Sequence, residues 1–297
     1  MAPATLLDGR LWLTRPLLGV RREALRDHLR MNGIGWADDP TNEDAAYERV
    51  RVRRRLADPA AFADAIRIAE RAARERVRLG EAAAGLIATA VSPLPGLIRI
   101  DPDAFLATAT AAAVYALRLL LATAGGSEHL PDETRAASLL GRFGEPAFRA
   151  SLSRTTLERR KGAVYLRREA RGLPEAHVAL DGEIWDGRFR LGTVAGAIVA
   201  PLGTSNAARP AKAFADTPPA LARAALANCP AVFHEGQCVT PLGPTSLPGS
   251  PTAMPVAAPF ARILPSFDLA PARALSRLIG GELPPPSPYA GHSAPRP

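Results

Sequence analysis

The residues with the clearest chemical potential are arginines that crowd together behind an acidic loop. Arg49, Arg51, Arg53, Arg54 and Arg55 fall within a single short segment. A guanidinium presents a planar fork of N–H donors that matches a phosphate or a carboxylate. The cluster therefore predicts contact with an anionic group. The alternative is a solvated run of charge in which the arginines form surface pairs with nearby acidic side chains.

The segment before this cluster, residues 36–44, is rich in carboxylates and amides. Asp39 and Asn42 are residue types that form local turns, and an Asp-Pro step disfavours helix at that point. The aromatic residues Trp36 and Tyr47 bracket the segment and can anchor it. We predict a structured loop rather than a flexible linker. Turn and cap formation is the purely structural alternative for Asp39 and Asn42.

A second group of arginines follows on a predicted long helix. Asp58-Pro59 is typical of a helix start, with an aspartate cap and proline in the first turn. An apolar stripe from Phe62 to Ala84 has helical spacing, and the opposite faces are basic. The arginines on those faces could contact a nucleic-acid backbone, or they could simply form a solvated helix face. These residues are Arg67, Arg71, Arg74 and Arg78.

The net charge of the chain favours contact with nucleic acid over a merely solvated helix face. The 297 residues include 37 basic and 29 acidic side chains, for a net charge of +8, and all basic residues except Lys161 and Lys212 are arginine. A GC-rich genome explains the preference for arginine over lysine but not the basic excess, which favours an anionic partner such as nucleic acid.

Several other classes of protein find no support. Two cysteines are too few for a disulfide framework, and the five histidines lack metal-site spacing, so we expect free thiols and no bound metal. There is no Gly-x-Ser-x-Gly run of a serine hydrolase. We expect neither a signal peptide nor a membrane span, and therefore a cytoplasmic location.

The pattern of elements predicts an α+β multidomain chain. A short strand is expected at residues 9–16 and a helix at 21–31. Residues 57–149 have the spacing of an all-helical domain, and residues 150–278 alternate as in a small β-rich domain, with Asp186-Gly187 as a hairpin turn. The Pro-rich tail, residues 279–297, is expected to be disordered.

Over residues 12–56 the sequence resembles the tRNA(Ile)-lysidine synthetase family. The shared elements occur in the same order: Arg-Pro-Leu-Leu at 15–18, a helix, Gly-Trp at 35–36, Asp-Pro-Thr-Asn at 39–42, an aromatic residue, and two arginines four positions apart, Arg49 and Arg53. Farther along, Trp-Asp-Gly-Arg-Phe-Arg at 185–190 is similar to the alphaproteobacterial members.

The resemblance implies that residues 1–56 are the end of an α/β catalytic domain of the N-type PP-loop ATPase class. It implies ATP-dependent ligation of lysine to C2 of the wobble cytidine, position 34, of tRNA(Ile), with Mg²⁺ as the accompanying ion. Arg49 and Arg53 would face the reacting nucleotide or the lysine, and Asp39 and Asn42 would order the loop beside them. The residues implied to bind tRNA are Arg51, Arg54, Arg55, Arg67, Arg71, Arg74 and Arg78.

Two departures from the family pattern limit what the resemblance implies. Val50 stands where the family has asparagine, so the hydrogen bonds of that amide are absent. The Ser-Gly-Gly-x-Asp-Ser loop that cradles ATP phosphates does not occur in the 297 residues. We therefore expect a C-terminal portion of the enzyme, with no visible ATP site and not competent alone, that forms a homodimer or pairs with a chain carrying the missing domain. The alternatives are a non-catalytic tRNA-binding module and a decayed fragment.

Overall fold

The computed structural model describes residues 1–39, 41, 44–243 and 251–288. The helices are α1 Arg22–Met31, α2 Glu48–Arg55, α3 Pro59–Ile87, α4 Pro102–Ala107, α5 Thr110–Gly125, α6 Glu133–Gly141, α7 Gly203–Ala207, α8 Pro219–Leu226 and α9 Leu269–Ile279. The strands are β1 Ala4–Leu7, β2 Leu11–Thr14, β3 Val91–Leu94, β4 Leu97–Ile100, β5 Arg149–Leu152, β6 Thr155–Arg160, β7 Ala163–Arg168, β8 His177–Val178, β9 Ile184–Trp185, β10 Phe189–Gly192, β11 Ile198–Pro201, β12 Pro230–His234, β13 Gln237–Pro241, β14 Thr252–Pro255 and β15 Ile263–Pro265.

The described strands form four antiparallel sheets. Their orders are β15-β1-β2, β14-β10-β9, β13-β12-β11-β8 and β3-β4-β7-β6-β5. The first sheet joins the two ends of the chain, since Thr5 in β1 is paired with Pro265 in β15. The N-terminal residues are thus fixed to the rest of the protein by a strand more than 250 positions away.

The predictions for the N-terminal region are largely confirmed. The strand expected at 9–16 is β2, and the helix expected at 21–31 is α1. Asp58 caps α3 as predicted, because its carboxylate accepts a hydrogen bond from the Ala61 amide at 3.0 Å.

The apolar stripe of α3 is buried only in the second half of the helix. Ile66, in the first half of the helix, is 44% exposed, whereas Gly80, Ala83 and Ile87 in the second half are buried. The buried half packs against α5 and α9 and contributes to the largest hydrophobic core. The first half of α3 therefore extends along the surface.

The prediction that residues 57–149 are all-helical is wrong for 91–100. The prolines there indicated a helix end, but Pro95-Gly96 forms the turn of a hairpin in which Gly96 has a φ of +77°. Strand β4 pairs with β7, so this hairpin belongs to the five-stranded sheet. The same core contains residues from both sides of position 149. The boundaries expected at 56, 149 and 278 stay predictions.

The hairpin expected at Asp186-Gly187 is confirmed, with Trp185 paired to Phe189. Both turn residues have positive φ, as this class of turn requires. The turn lies against the end of α5, where a Cβ added at Gly126 would come within 2.0 Å of the Asp186 carbonyl oxygen. Glycine is therefore required at Gly126 and at Gly187, the two positions where these backbones approach each other.

Cys229 and Cys238 are both free thiols, and burial raises the pKa of Cys229 to about 11.

Helix α9 ends at Ile279, and the described part of the C-terminal tail, residues 280–288, contains no helix or strand. The rest of the segment expected to be disordered lies outside the described residues.

Candidate nucleic-acid interface

The loop after α1 is held by the arginines of that helix. The guanidinium carbons of Arg26 and Arg30 lie 5.5 and 5.3 Å from the centroid of the Trp36 ring. These distances are within the range of cation–π attraction. Trp36 stays 38% exposed, so it is anchored by these contacts rather than by burial in a core.

Asp38 also helps to hold this loop against α1. Its carboxylate accepts a hydrogen bond from the Trp36 indole at 3.2 Å and pairs with Arg22, at 2.9 Å, and with Arg26. The indole hydrogen bond, followed by the positive charges of Arg26 and Arg22, lowers the pKa of Asp38 below its ordinary value. Asp38 is therefore ionised near neutral pH.

Asp39, Thr41 and Arg49 form a chain of hydrogen bonds. The Asp39 carboxylate accepts from the backbone N–H of Thr41 at 2.9 Å and from its hydroxyl at 2.8 Å. The Thr41 Oγ1 in turn accepts from the Arg49 guanidinium at 3.2 Å. These bonds from Thr41, with a further contribution from the charge of Arg49, lower the pKa of Asp39. Asp39 thus forms a turn and also positions Arg49. Asn42 lies outside the described residues.

Helix α2 brings the predicted arginine cluster onto one short element. Arg49 also stacks over the Tyr47 ring at 5.0 Å, and Arg51 donates to the carbonyl oxygens of Ala45 and Ala46 at 2.9 and 2.8 Å. Arg49 and Arg53 are four positions apart and so share a face of the helix. The cluster is exposed to solvent throughout.

Val50 is the exception to this exposure. Within α2, whose eight residues are all described, it is the one buried side chain, with 3% of its surface exposed. Its apolar character suits a buried position, where an asparagine side chain would need hydrogen-bond partners. Val50 therefore packs α2 against the protein instead of contributing a polar group to the site.

Four arginines of α3 are also exposed, and three of these four are paired within the helix. Arg67 pairs with Asp64, Arg74 with Glu70 at 3.7 Å and Arg78 with Glu75 at 3.3 Å. The side chains of these three arginines are 73%, 68% and 75% exposed. Surface pairs of this kind contribute only about 0–1 kcal/mol each, so a phosphate can displace the carboxylate at little cost.

The start of α1 contacts the first turns of α3. Arg21, at the start of α1, stacks over the Phe62 ring at 4.4 Å, in the first turns of α3. The roles of Arg21, Arg22, Arg26 and Arg30 were missed from the sequence. The spacing of Arg22, Arg26 and Arg30 by four along α1 and the aromatic residue in the following loop were the available signals.

The described residues contain no cluster of three or more histidine, cysteine, aspartate or glutamate side chains that could hold a metal ion. Asp38 is engaged by arginines and Asp39 by Thr41. Separately, no helix among the described residues is both long enough and apolar enough to cross a bilayer.

Comparison with known proteins places these features in a family. A family model described as a PP-loop domain, ATP_bind_3, matches residues 6–60. The tRNA(Ile)-lysidine synthase of Mesorhizobium japonicum is 52% identical over 301 aligned residues, which cover 99% of this chain and 66% of that protein. No solved structure matches.

Two further relatives agree. The tRNA(Ile)-lysidine synthase of Rhizobium meliloti is 37% identical over 64% of this chain and 42% of its own length, and that of Brucella ovis is 38% identical over 64% and 44%. The chain thus spans 66% of one relative and less than half of the other two. The resemblance in residues 12–56 is confirmed, and the chain belongs to the tRNA(Ile)-lysidine synthase family.

Proposed function

We propose that this chain serves in the ATP-dependent ligation of lysine to the wobble cytidine of tRNA(Ile). The observation that carries the proposal is the chain of hydrogen bonds from Asp39 through Thr41 to Arg49, within the segment that matches the PP-loop model. An arginine held in this way is oriented before substrate arrives. Preorganised donors of this kind stabilise charge that develops during a reaction.

In the proposed reaction, the O2 oxygen of the cytidine attacks the α-phosphate of ATP and releases pyrophosphate, which leaves AMP bonded to O2. The lysine amine then attacks C2, loses a proton and displaces AMP. Arg49 and Arg53 would bind an anionic group of the reactants, either a phosphate or the lysine carboxylate, through paired N–H donors. Asp39 would keep Arg49 in place without touching the substrate. ATP and Mg²⁺ would be held by residues other than those described above.

The tRNA backbone would lie along the arginines of α2 and α3. Arg67, Arg74 and Arg78 are exposed and form only surface ion pairs, which contact with phosphate can replace. Contacts with the phosphate backbone carry no information about base sequence. The chain would act in the cytoplasm. The residues proposed to contact tRNA are Arg51, Arg54, Arg55, Arg67, Arg71, Arg74 and Arg78.

Transfer of radiolabelled lysine to tRNA(Ile) tests the proposal. The assay contains ATP and Mg²⁺ and uses this chain alone, or mixed with a polypeptide that carries the third of the Mesorhizobium japonicum synthase that this chain does not match. The full-length synthase is the positive control. We expect transfer in one of these two arrangements, reduced at least tenfold by Arg49→Met but much less by Arg135→Met, a change at an exposed arginine on α6.

The outcomes separate the alternatives. Binding of tRNA(Ile) without transfer in either arrangement would favour a non-catalytic tRNA-binding module. Neither binding nor transfer, from a chain shown by circular dichroism to be folded, would overturn the proposal and favour a decayed fragment. Equal activity of the Arg49→Met and Arg135→Met variants would refute the role of Arg49 alone.

A further inference from the structure

A cavity of about 420 Å³ lies where the hairpin of β3 and β4 meets the C-terminal ends of α5 and α9. Its wall is mostly apolar and includes Leu94, Leu97, Phe214, Leu242 and Leu278. The volume falls within the range of small-molecule sites in proteins. The cavity is remote in sequence from the Asp39–Arg49 segment, and none of the residues discussed above as tRNA contacts lines it.

One buried cation lines this cavity and is not fully paired. Arg188 is 4% exposed, and its Nε donates to the Asp186 carboxylate at 2.8 Å while its Nη2 donates to the Asn228 carbonyl oxygen. Its Nη1 is buried and has no hydrogen-bond partner in the described structure. The guanidinium also lies 5.1 Å from the Phe189 ring centroid, which offers attraction but no hydrogen bond.

Positive charge is in excess around this group. Asp186, the carboxylate that pairs with Arg188, also pairs with Arg154 and with Arg168, whose Nε lies 3.0 Å away. Asp186 and Arg168 have fully buried side chains. Three guanidiniums therefore share one carboxylate. The Arg154 side chain is 41% exposed, but those of Arg168 and Arg188 are buried, where an unbalanced charge is costly.

A second polar atom on a residue that lines the cavity is also buried without a hydrogen-bond partner. The Oγ1 of Thr123, near the end of α5, is buried without a hydrogen-bond partner, and Thr123 lines the cavity together with Arg188. Arg277 lines it as well but is exposed, which places a further positive charge at the solvent side. Two residues that line this cavity therefore each carry a buried donor without a partner. Buried polar groups are ordinarily satisfied, so these donors point to an absent partner.

We propose that this cavity binds a small organic anion with an apolar body. The anionic head would accept hydrogen bonds from Arg188 Nη1 and the Thr123 hydroxyl, and the apolar part would lie against the leucines and Phe214. Such a ligand supplies both the negative charge and the acceptors that this part of the structure lacks. This site is separate from the proposed tRNA surface, and its test does not depend on the ligation activity.

Decanoate, decanol and decyltrimethylammonium serve as probes, because they share an apolar chain and differ in the head group. Binding to the full chain is measured by isothermal titration calorimetry and by the shift in unfolding temperature. We expect decanoate to bind at least about tenfold more tightly than decanol, the size of one charge-assisted hydrogen bond. Decyltrimethylammonium is expected not to bind.

Three substitutions test the assignment of the head-group site. Thr123→Val is isosteric and removes an unpartnered hydroxyl, so it should leave folding intact and weaken decanoate severalfold. Arg188→Met should abolish the preference for decanoate over decanol. Arg277→Gln should weaken decanoate modestly, whereas the matched change Arg273→Gln, one turn earlier on α9 and outside the cavity lining, should have no effect.

The proposal is overturned if decanoate does not bind at millimolar concentration, or if decanol binds as tightly as decanoate. It is also overturned if folded Thr123→Val binds decanoate as the unmodified chain does. Arg188→Met removes a bond to Asp186 and could prevent folding, and in that case the Thr123→Val and Arg277→Gln results decide. If water is the sole occupant of the cavity, decanoate will not bind at millimolar concentration.

Discussion

Arg76 and Asp268 form an ion pair although 192 positions separate them in the chain. The Arg76 Nη2 lies 2.9 Å from the Asp268 Oδ2, and the Asp268 side chain is only 4% exposed. The Tyr115 hydroxyl donates to the other carboxylate oxygen at 3.0 Å. Burial, together with the charge of Asp268, raises the pKa of Tyr115 above its ordinary value, so the hydroxyl keeps its proton. These three residues fasten α3, α5 and the start of α9 together.

Loss of the Asp268 charge should destabilise the fold. We expect Asp268→Asn to lower the free energy of unfolding by about 1–3 kcal/mol, because a buried charge-assisted pair is broken while Arg76 remains partly exposed to water. Tyr115→Phe should cost about 1 kcal/mol. Urea denaturation measures both. Asp64→Asn, which breaks the exposed pair with Arg67, is the control and should change stability by less than about 1 kcal/mol.

This pair also marks a limit of sequence-based prediction. Helical spacing separates Arg76 from Arg74 and Arg78, because it lies three positions after Ala73 and four before Gly80, beside the apolar stripe of α3. The spacing does not reveal its partner, an aspartate near the other end of the chain. By contrast, the cap at Asp58 and the turn at Asp186-Gly187 depend on neighbouring residues, and both were predicted correctly.

Val50 provides a second stability prediction. Val50→Asn restores the residue typical of the family but places an amide at a buried position of α2. We expect a loss of about 1–3 kcal/mol, the cost of burying an amide without adequate partners. Val52→Asn is the matched control, since Val52 is 40% exposed on the same helix, and it should be nearly neutral. Thermal unfolding would contradict the prediction if both variants lost equal stability.

The segment around Arg49 illustrates what sequence did and did not predict at the candidate site. The motif singled out Arg49 and Arg53, and their role at the site stays a prediction. The bonds from Thr41 to Asp39 and Arg49 were not predicted, because threonine in such a loop is compatible with many hydrogen-bond partners. The stacking of Arg26 and Arg30 on Trp36 depends on how the loop folds back on α1.

The α3 arginines give a prediction about salt. We expect affinity for tRNA(Ile) to fall as salt rises, with a slope of log K against log salt of about −0.7 to −0.9 per phosphate contacted. Replacing four exposed arginines of α3 by glutamine should weaken binding and make that slope shallower. Filter binding over a series of salt concentrations measures both effects. The four residues are Arg67, Arg71, Arg74 and Arg78.

A second quadruple variant controls for net charge. It replaces four exposed arginines that lie outside α2 and α3, and so removes the same charge from different places. We expect it to keep most of the affinity and nearly the same salt slope. If the two variants behaved alike, binding would reflect net charge and not a surface on α3. The control residues are Arg135, Arg171, Arg209 and Arg223.

We expect His177 to make the stability of the fold depend on pH. Its Nδ1 lies 3.0 Å from the Glu175 carbonyl oxygen and its Nε2 2.8 Å from the Glu183 carboxylate, and these two contacts raise its pKa above the ordinary value of 6.5. The protonated ring therefore stabilises the fold fully below about pH 6.5, and this contribution is lost as pH rises through the folded-state pKa. NMR titration of the ring protons should show the raised pKa, and Glu183→Gln should lower it. In urea denaturation, His177→Gln should remove part of the decline in stability above pH 6.5. An unshifted pKa, or an identical decline in the variant, would refute this role for the contact between His177 and Glu183.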